Sequence, residues 1–335
     1  MIKFFKQLKE IIEKNEKVII VGHKNPDLDC IAASIGLYKV INKECYVFRT
    51  TDKTNSTVTK TYQLLENENI KFINKDNYKE VISNNTLLIV LDLHRKQLIE
   101  HEPLLNEIKQ IVLIDHHIIG NDKISPSLEY IDSKASSTTE IIAKYIINEG
   151  KNIDSVISTI MLSGIEIDTN GYNMKTTAET FKVAAWLMSM NADNILKQNI
   201  LKENKEEYIR RTKQIENSYV INNNMMICVL DDDVYNPSYL ALLSEDLLRF
   251  ENVEASFTIG KITNEKIGIS ARSLGNINVE EIMSTLGGGG HLTDAACQFD
   301  STSLTNVEKV LIKSLKNKGC EKNESDISKR CKRTR

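Results

Sequence analysis

Three apolar runs in the chain each end abruptly in carboxylates and imidazoles. Ile111-Val112-Leu113-Ile114 leads into Asp115-His116-His117. Val18-Ile19-Ile20-Val21-Gly22 leads into His23, Asn25, Asp27 and Asp29, and Leu87-Leu88-Ile89-Val90-Leu91 leads into Asp92, His94 and Arg95. Side chains of these types hold divalent metal ions. Of the 6 histidines, only His101 lies outside these clusters and the His291 segment described below. Hard oxygen donors with a few imidazoles and no thiolate suit Mn²⁺ best, with Mg²⁺, Co²⁺ and Zn²⁺ also open. Two such ions, about 3.5–4 Å apart, form the usual clamp for hydrolysing a phosphate ester. A fourth segment, Ser163 to Asn170, brings Asp168 to the point where another apolar run stops. Glu166 is the alternative donor there. A single Asp in such a place is as readily a helix cap, but beside three other clusters Asp168 reads as a ligand.

The elements that must position these groups follow from the same runs. Short stretches rich in Val, Ile and Leu, apolar at every position, read as strands buried on both faces of a parallel sheet. In open α/β sheets, ligands bind beyond the carboxyl ends of the strands. Helical patterns at 31–41, 57–66 and 136–148 alternate with strands at 17–22, 44–49, 87–92, 111–115 and 128–131, which is the doubly wound α/β arrangement. Ala32, Ala33, Ser34 and Gly36 suit close packing on the sheet, and Ser137 with Glu140 has capping-box spacing. Helices dominate from Asp154 to Ser218. The charge-rich stretch from Lys202 to Ser218 suits an exposed connecting helix. Trp186, spaced helically with Phe181, Val183 and Leu187, is most simply core.

A second set of elements begins near Asn222: a strand at 225–230, a helix at 237–250, a strand pair across Thr263-Asn264-Glu265, a helix at 279–286 and a last helix at 304–318. Asp231-Asp232-Asp233 carries no imidazole and reads as a solvated turn. Gly287-Gly288-Gly289-Gly290 followed by His291 lets the backbone approach a ligand and offers N–H groups to phosphate. Arg272, at the end of a strand, supplies a rigid guanidinium fork for phosphate or a base edge.

Composition narrows the class. The chain has 335 residues, 41% hydrophobic and 27% charged, so it is long enough for two soluble globular domains. A net charge of −3 gives no general attraction to double-stranded nucleic acid. No run of about 18 apolar residues predicts a membrane span, and the N-terminus lacks the features of a signal peptide. The 6 cysteines form no CxxC pair and fit reduced thiols in a cytoplasm. Met1 followed by an amphipathic helix is what a stand-alone protein would show.

Taken together, His23-Lys24-Asn25-Pro26-Asp27-Leu28-Asp29, Asp92, Asp115-His116-His117, Asp168 and the GGGGH stretch resemble the DHH phosphoesterase superfamily with a DHH-associated C-terminal domain. HKNPDLD, ISARSLGNINVEEIM and LGGGGHLTDAACQ are most similar to its cyclic di-AMP phosphodiesterase branch. The resemblance implies that His23, Asp27 and Asp92 hold one metal and that Asp29, Asp92, His116 and Asp168 hold the other, with Asp92 bridging. It also implies a catalytic pair: Asp115 behind the ligands, orienting the His116 imidazole, and His117 either contacting phosphate or likewise standing behind the ligands. Leu93 stands where that branch carries Thr, which matters little if it packs behind the site.

The resulting expectation is an α/β protein. Residues 1–200 form a parallel-sheet catalytic domain with flanking helices, 201–221 connect, 222–318 form a smaller α/β substrate domain, and 319–335 are a basic disordered tail. Two divalent ions, Mn²⁺ first, would hydrolyse cyclic di-AMP to pApA. Asn25, Arg95, Arg272, Gly287, Gly288, Gly289, Gly290 and His291 would contact the substrate in a cleft between the domains. The alternatives are a nanoRNase that also dephosphorylates 3′-phosphoadenosine 5′-phosphate (pAp) and a non-catalytic nucleotide sensor. The partner is a small nucleotide, with homodimerisation open.

Overall fold

In a computed structural model, residues 1–316 are described apart from 53, 120, 121 and 291. His291 and the basic tail 319–335 therefore lie outside the described residues. The chain divides into two compact units, Met1–Glu203 and Asn204–Arg335. Among the described residues no helix is long and apolar enough to cross a membrane.

The first unit opens with α1 (Ile2–Lys14), β1 (Lys17–Val21), α2 (Leu28–Val40), β2 (Glu44–Phe48), α3 (Ser56–Leu65) and β3 (Phe72–Ile73). It continues with β4 (Thr86–Leu91), α4 (Leu104–Glu107), β5 (Gln110–Asp115) and β6 (Leu128–Ile131). Four helices follow: α5 (Thr138–Asn148), α6 (Ser155–Asp168), α7 (Ala178–Ser189) and α8 (Asn194–Leu201). The strands form one sheet in the order β3-β2-β1-β4-β5-β6, parallel at every pairing. Alternate residues of each central strand enter different cores. Val18, Ile20, Leu87, Ile89, Val112 and Ile114 pack on one face, and Ile19, Val21, Leu88, Val90 and Leu113 on the other. Both faces are thus covered, which is why these strands are apolar at every position.

α2 is apolar around almost its whole circumference and is buried accordingly. It begins at Leu28 rather than Ile31, because the Asp27 side chain accepts the Cys30 N–H as an N-cap. Its small residues serve a helix contact as well as the sheet. A Cβ on Gly36 would sit 2.6 Å from the Met161 sulfur, and one on Gly164 would sit 2.8 Å from the Ala32 Cβ and 3.3 Å from the Leu28 carbonyl. Gly164→Ala should therefore lower stability by about 1–2 kcal/mol, overpacking outweighing the better helix propensity. A fall in the urea midpoint is expected, and an unchanged midpoint would mean that α2 and α6 separate freely.

The second unit comprises α9 (Lys205–Ile215), β7 (Tyr219–Ile221), β8 (Met225–Val234), α10 (Pro237–Leu247), β9 (Ala255–Lys261), β10 (Lys266–Ser273), α11 (Val279–Thr285), β11 (Gly289–Gly290), β12 (Asp294–Asp300) and a helix over 304–316. Its sheet runs β11-β12-β10-β9-β8-β7, with only β8 and β9 parallel. α11 and the 304–316 helix pack on one face through Val279, Ile282, Met283, Val307, Leu311 and Leu315. α10 packs on the other through Leu240, Leu243 and Leu247.

Several expectations change. The stretch from Lys202 to Ser218 holds one helix, as its composition suggests, but a shorter one: α8 stops at Leu201, the Asn204 side chain accepts the Glu206 and Glu207 N–H groups to start α9 at Lys205, and α9 ends at Ile215. Asp231–Asp233 lie within strand β8, which runs on to Val234, instead of forming a turn. Asp231 accepts from Gln214, and Asp232 and Asp233 pair with Lys261 and Arg210. Phe181 is 55% exposed, stacked on Tyr172, so it is not core, while Val183 and Leu187 are buried.

Candidate metal centre

The strand order of the first sheet reverses between β1 and β4, which places a crevice beyond their carboxyl ends. His23 lies just past β1, Asp92 immediately past β4, and Asp115 ends β5 with His116 and His117 behind it. Asp27 and Asp29 arrive at the start of α2, and Asp168 is the last residue of α6. Asp92 adopts a left-handed backbone (φ 65°), which turns its side chain out of the strand direction. Asp tolerates this conformation better than most residues because its short polar side chain bonds locally.

Asp92 sits between two groups of donors. Its Oδ2 lies 3.4 Å from His23 Nε2, and its Oδ1 lies 3.5 Å from His116 Nε2. His23 Nε2 is 3.8 Å from Asp27 Oδ2. His116 Nε2 is 3.2 Å from Asp168 Oδ2 and 4.0 Å from Asp29 Oδ2. The Nδ1 of His23 is 2.9 Å from the Lys24 carbonyl and donates to it, so Nε2 is the nitrogen turned to the carboxylates and the one that would ligate an ion. Among the described residues, potential ligand atoms fall into three overlapping sets, His23–Cys30–Asp92, Asp92–His116–His117 and Asp29–His116–Asp168, each within 4.8 Å. Glu166, the alternative to Asp168, pairs instead with Lys197.

The electrostatics fit cations. Burial, followed by the charges of Asp92 and Asp27, pushes Asp29 well above the usual carboxylate range. Asp168 is raised in the same way by burial and by Asp29, Asp27 and Asp92. Buried carboxylates crowded together are costly unless positive charge offsets them. Oxygen and imidazole donors shared through one carboxylate are what a pair of divalent ions needs.

Other side chains fix these groups. Asp29 is fully buried at the N-terminus of α5, where Oδ1 accepts the Thr139 N–H (2.9 Å) and Oδ2 the Thr138 N–H (2.8 Å). Thr138 Oγ1 donates to Asp92 Oδ1 at 2.9 Å. Ser137 caps α5 through the Glu140 N–H, while the Glu140 carboxylate turns to Ser136 and Thr180, so the reciprocal half of a capping box is missing. Asp115 does not orient the His116 ring. Its Oδ2 meets His94 Nδ1 at 2.6 Å, its Oδ1 meets His117 Nδ1 at 2.7 Å, and only the backbone N–H of His116 reaches it. The ring of His116 points the other way, to Asp168 and Asp92. Burial opposes ionisation of Asp115, but hydrogen bonds from His117 and His94 outweigh it and hold its carboxyl well below the usual range. Burial likewise opposes protonation of His117, yet Asp115 and Asp92 raise its pKa to about 9. Leu93 is buried behind the site among Ile19, Leu88 and Val90.

The sequence gives no role to Cys30, Thr138 or Thr139, and His94, which it groups with the metal-holding imidazoles, bonds to Asp115 and belongs to none of the donor sets. The threonines follow the helix-cap serines directly, and their contact with Asp29 and Asp92 depends on where α5 docks. Two other candidate contacts stay on the periphery of this unit. Asn25 is exposed with a left-handed backbone (φ 53°), and Arg95 is half-buried, its backbone bridged to Lys123.

In the second unit, Arg272, Gly289 and Gly290 line one cavity of about 280 Å³, with Ser270 and Asp294. Arg272 Nε is 3.2 Å from both Glu245 Oε1 and Asp294 Oδ1, which hold the guanidinium in place. The glycines divide by function. A Cβ on Gly288 would stand 2.2 Å from the Ala296 carbonyl, and one on Gly290 would stand 2.3 Å from the Asp294 carbonyl, so these two permit close approach of β12 rather than of a ligand. Gly287 and Gly289 face open space.

The DHH family, N-terminal domain, matches residues 17–165, and the DHHA1 domain matches residues 222–317. The chain belongs to the DHH family. It is 36% identical over 312 residues to cyclic-di-AMP phosphodiesterase GdpP of Bacillus subtilis, a match covering 90% of this chain and 47% of GdpP. It is 33% identical over 318 residues to cyclic-di-AMP phosphodiesterase PdeA of Listeria monocytogenes, covering 92% of this chain and 48% of PdeA. The chain thus spans about half the length of these curated relatives. The crystal structure of an exopolyphosphatase-related protein from Bacteroides fragilis has the same fold, with a TM-score of 0.80 and 20% identity over 95% of this chain and 96% of that one.

Proposed function

We propose that this chain hydrolyses cyclic di-AMP to pApA in a reaction that depends on divalent metal ions. The observation that carries the proposal is the division of the Asp92 carboxylate, one oxygen toward His23 and the other toward His116. That is the placement of a bridging ligand. Resemblance to GdpP and PdeA supports the choice of substrate.

Bound there, divalent ions would lower the pKa of an attacking water and offset charge on the phosphate. His23 and Asp27 would hold one ion, Asp29, His116 and Asp168 the other, and Asp92 both. The chain's own groups do the rest. Asp115 fixes the His117 ring through Nδ1, so Nε2 is the atom that faces outward with a proton at neutral pH. The His117 side chain is 38% exposed, so a phosphoryl oxygen can reach it. Nε2–H would hydrogen-bond that oxygen and supply a proton to the departing ribose oxygen. His94 braces Asp115 from the opposite side. In the second unit, the cavity beside Arg272, Gly289 and Gly290 would take part of the nucleotide, with His291 and Gly287 assigned to the same task.

Initial rates on cyclic di-AMP, pApA and pAp, measured side by side with saturating Mn²⁺, test the substrate. Cyclic di-AMP should be turned over fastest, with pApA as first product and no reaction in EDTA. Faster turnover of pApA and pAp would assign the chain to the nanoRNase type. No turnover of any of the three would leave a nucleotide sensor.

A further inference from the structure

We infer that Cys30 is a sulfur ligand to the first metal position, beside His23, Asp27 and Asp92. This rests on the metal-dependent reading above and concerns only what the first position contains. Mn²⁺ suits a centre without thiolate. The fold places the Cys30 Sγ with a ring nitrogen of His23 and a carboxylate oxygen of Asp92, all within 4.8 Å of one another. These are separations that three ligands of one ion adopt.

Two further observations set the sulfur in that place. Gly22, at the end of β1, lacks the Cβ that would otherwise stand 2.0 Å from the Cys30 Sγ, so the missing side chain makes the room that the sulfur occupies. A small cavity of about 20 Å³, lined by Gly22, His23, Cys30, Ser34, Thr50 and Glu100, adjoins the same spot. That is space for about one water molecule. The thiol is buried there, 2% exposed, and a cation beside it would bind it as the thiolate. As the sulfur–metal bond forms, the thiol proton passes to solvent and no electron is transferred. The other buried thiols, Cys45, Cys228 and Cys297, belong to none of the three donor sets.

A set of one sulfur, one imidazole nitrogen and carboxylate oxygens selects softer ions than an all-oxygen and imidazole set does. The first position should therefore prefer Zn²⁺ or Co²⁺ to Mn²⁺. The second, built from Asp29, Asp92, His116 and Asp168, contains no sulfur and should keep the harder preference.

X-ray absorption on the full chain loaded with Zn²⁺ tests this directly. One sulfur scatterer at about 2.3 Å is expected beside nitrogen and oxygen at about 2.0–2.1 Å. The same shell should persist when Cys320 and Cys331 are both changed to serine, which removes the cysteines nearest the C-terminus. With Co²⁺, a near-ultraviolet sulfur-to-cobalt charge-transfer band should appear and vanish in Cys30→Ser while cobalt remains bound. Bound ions with only nitrogen and oxygen neighbours overturn the sulfur assignment and leave the metal centre standing. A charge-transfer band that survives Cys30→Ser overturns it as well. A chain that binds neither Zn²⁺ nor Co²⁺ overturns both this assignment and the metal-dependent reading.

Discussion

Asp92→Asn should reduce hydrolysis of cyclic di-AMP on the order of 10³-fold or more, a barrier increase of about 4 kcal/mol or more, with the fold intact. Asp92 is the one carboxylate that addresses both His23 and His116. An amide in its place keeps the oxygen that accepts from Thr138 but loses the charge that two cations would share. Asn is the informative replacement because position 92 has a left-handed backbone, which Asn adopts readily and Ala does not. Removing one negative charge from a crowded, buried set also relieves repulsion. The metal-free variant should therefore melt at or above the temperature of the parent. Hydrolysis within about tenfold of the parent, or co-ordinate loss of fold and activity, would refute the bridging role.

Asp29→Ala should behave in the opposite way and destabilise the metal-free protein by about 3 kcal/mol. The Asp29 carboxylate accepts the Thr138 and Thr139 N–H groups, all of them buried. Leaving buried donors unsatisfied costs about 1–3 kcal/mol each, and relief of repulsion from Asp92 and Asp27 returns part of that. For a unit of this size the melting temperature should fall about 6–12 °C. Asp29→Asn, which retains one acceptor oxygen, should fall between Ala and parent. Calorimetry in EDTA separates the two carboxylates. If Asp29→Ala melts with the parent, α5 does not depend on Asp29 for its start, and Asp29 is free to be a ligand and nothing more.

The contrast between these residues shows what could be read from the chain. β1, β4 and β5 were legible because both faces of each strand are buried, so their apolar character runs uninterrupted until Gly22, Asp92 and Asp115 break it. The end of such a run marks the edge of the sheet, and the chemistry begins there. The start of α2 was less visible. Asp27 and Asp29 read as loop residues, because a cap depends on backbone geometry that residue types do not show. Roles that depend on how separate elements dock left no periodic trace. Thr138 meets Asp92 only because α5 points its N-terminus at α2. Cys30 meets His23 and Asp92 only because Gly22 opens the space above it. Likewise, the direction of the Asp115 carboxylate, toward His94 and His117 instead of the His116 ring, follows from the path of the chain after β5. Gly288 and Gly290 show the reverse hazard: glycines that suggest a ligand loop are required by a close strand pairing.

Anomalous diffraction from crystals grown in saturating Mn²⁺ is the most direct measurement. Two peaks about 3.5–4 Å apart should appear, one beside His23 and Asp27, the other among Asp29, His116 and Asp168, each within coordinating distance of Asp92. Peaks that avoid Asp92, or no peak in this crevice, would contradict the two-ion centre and the hydrolase built on it.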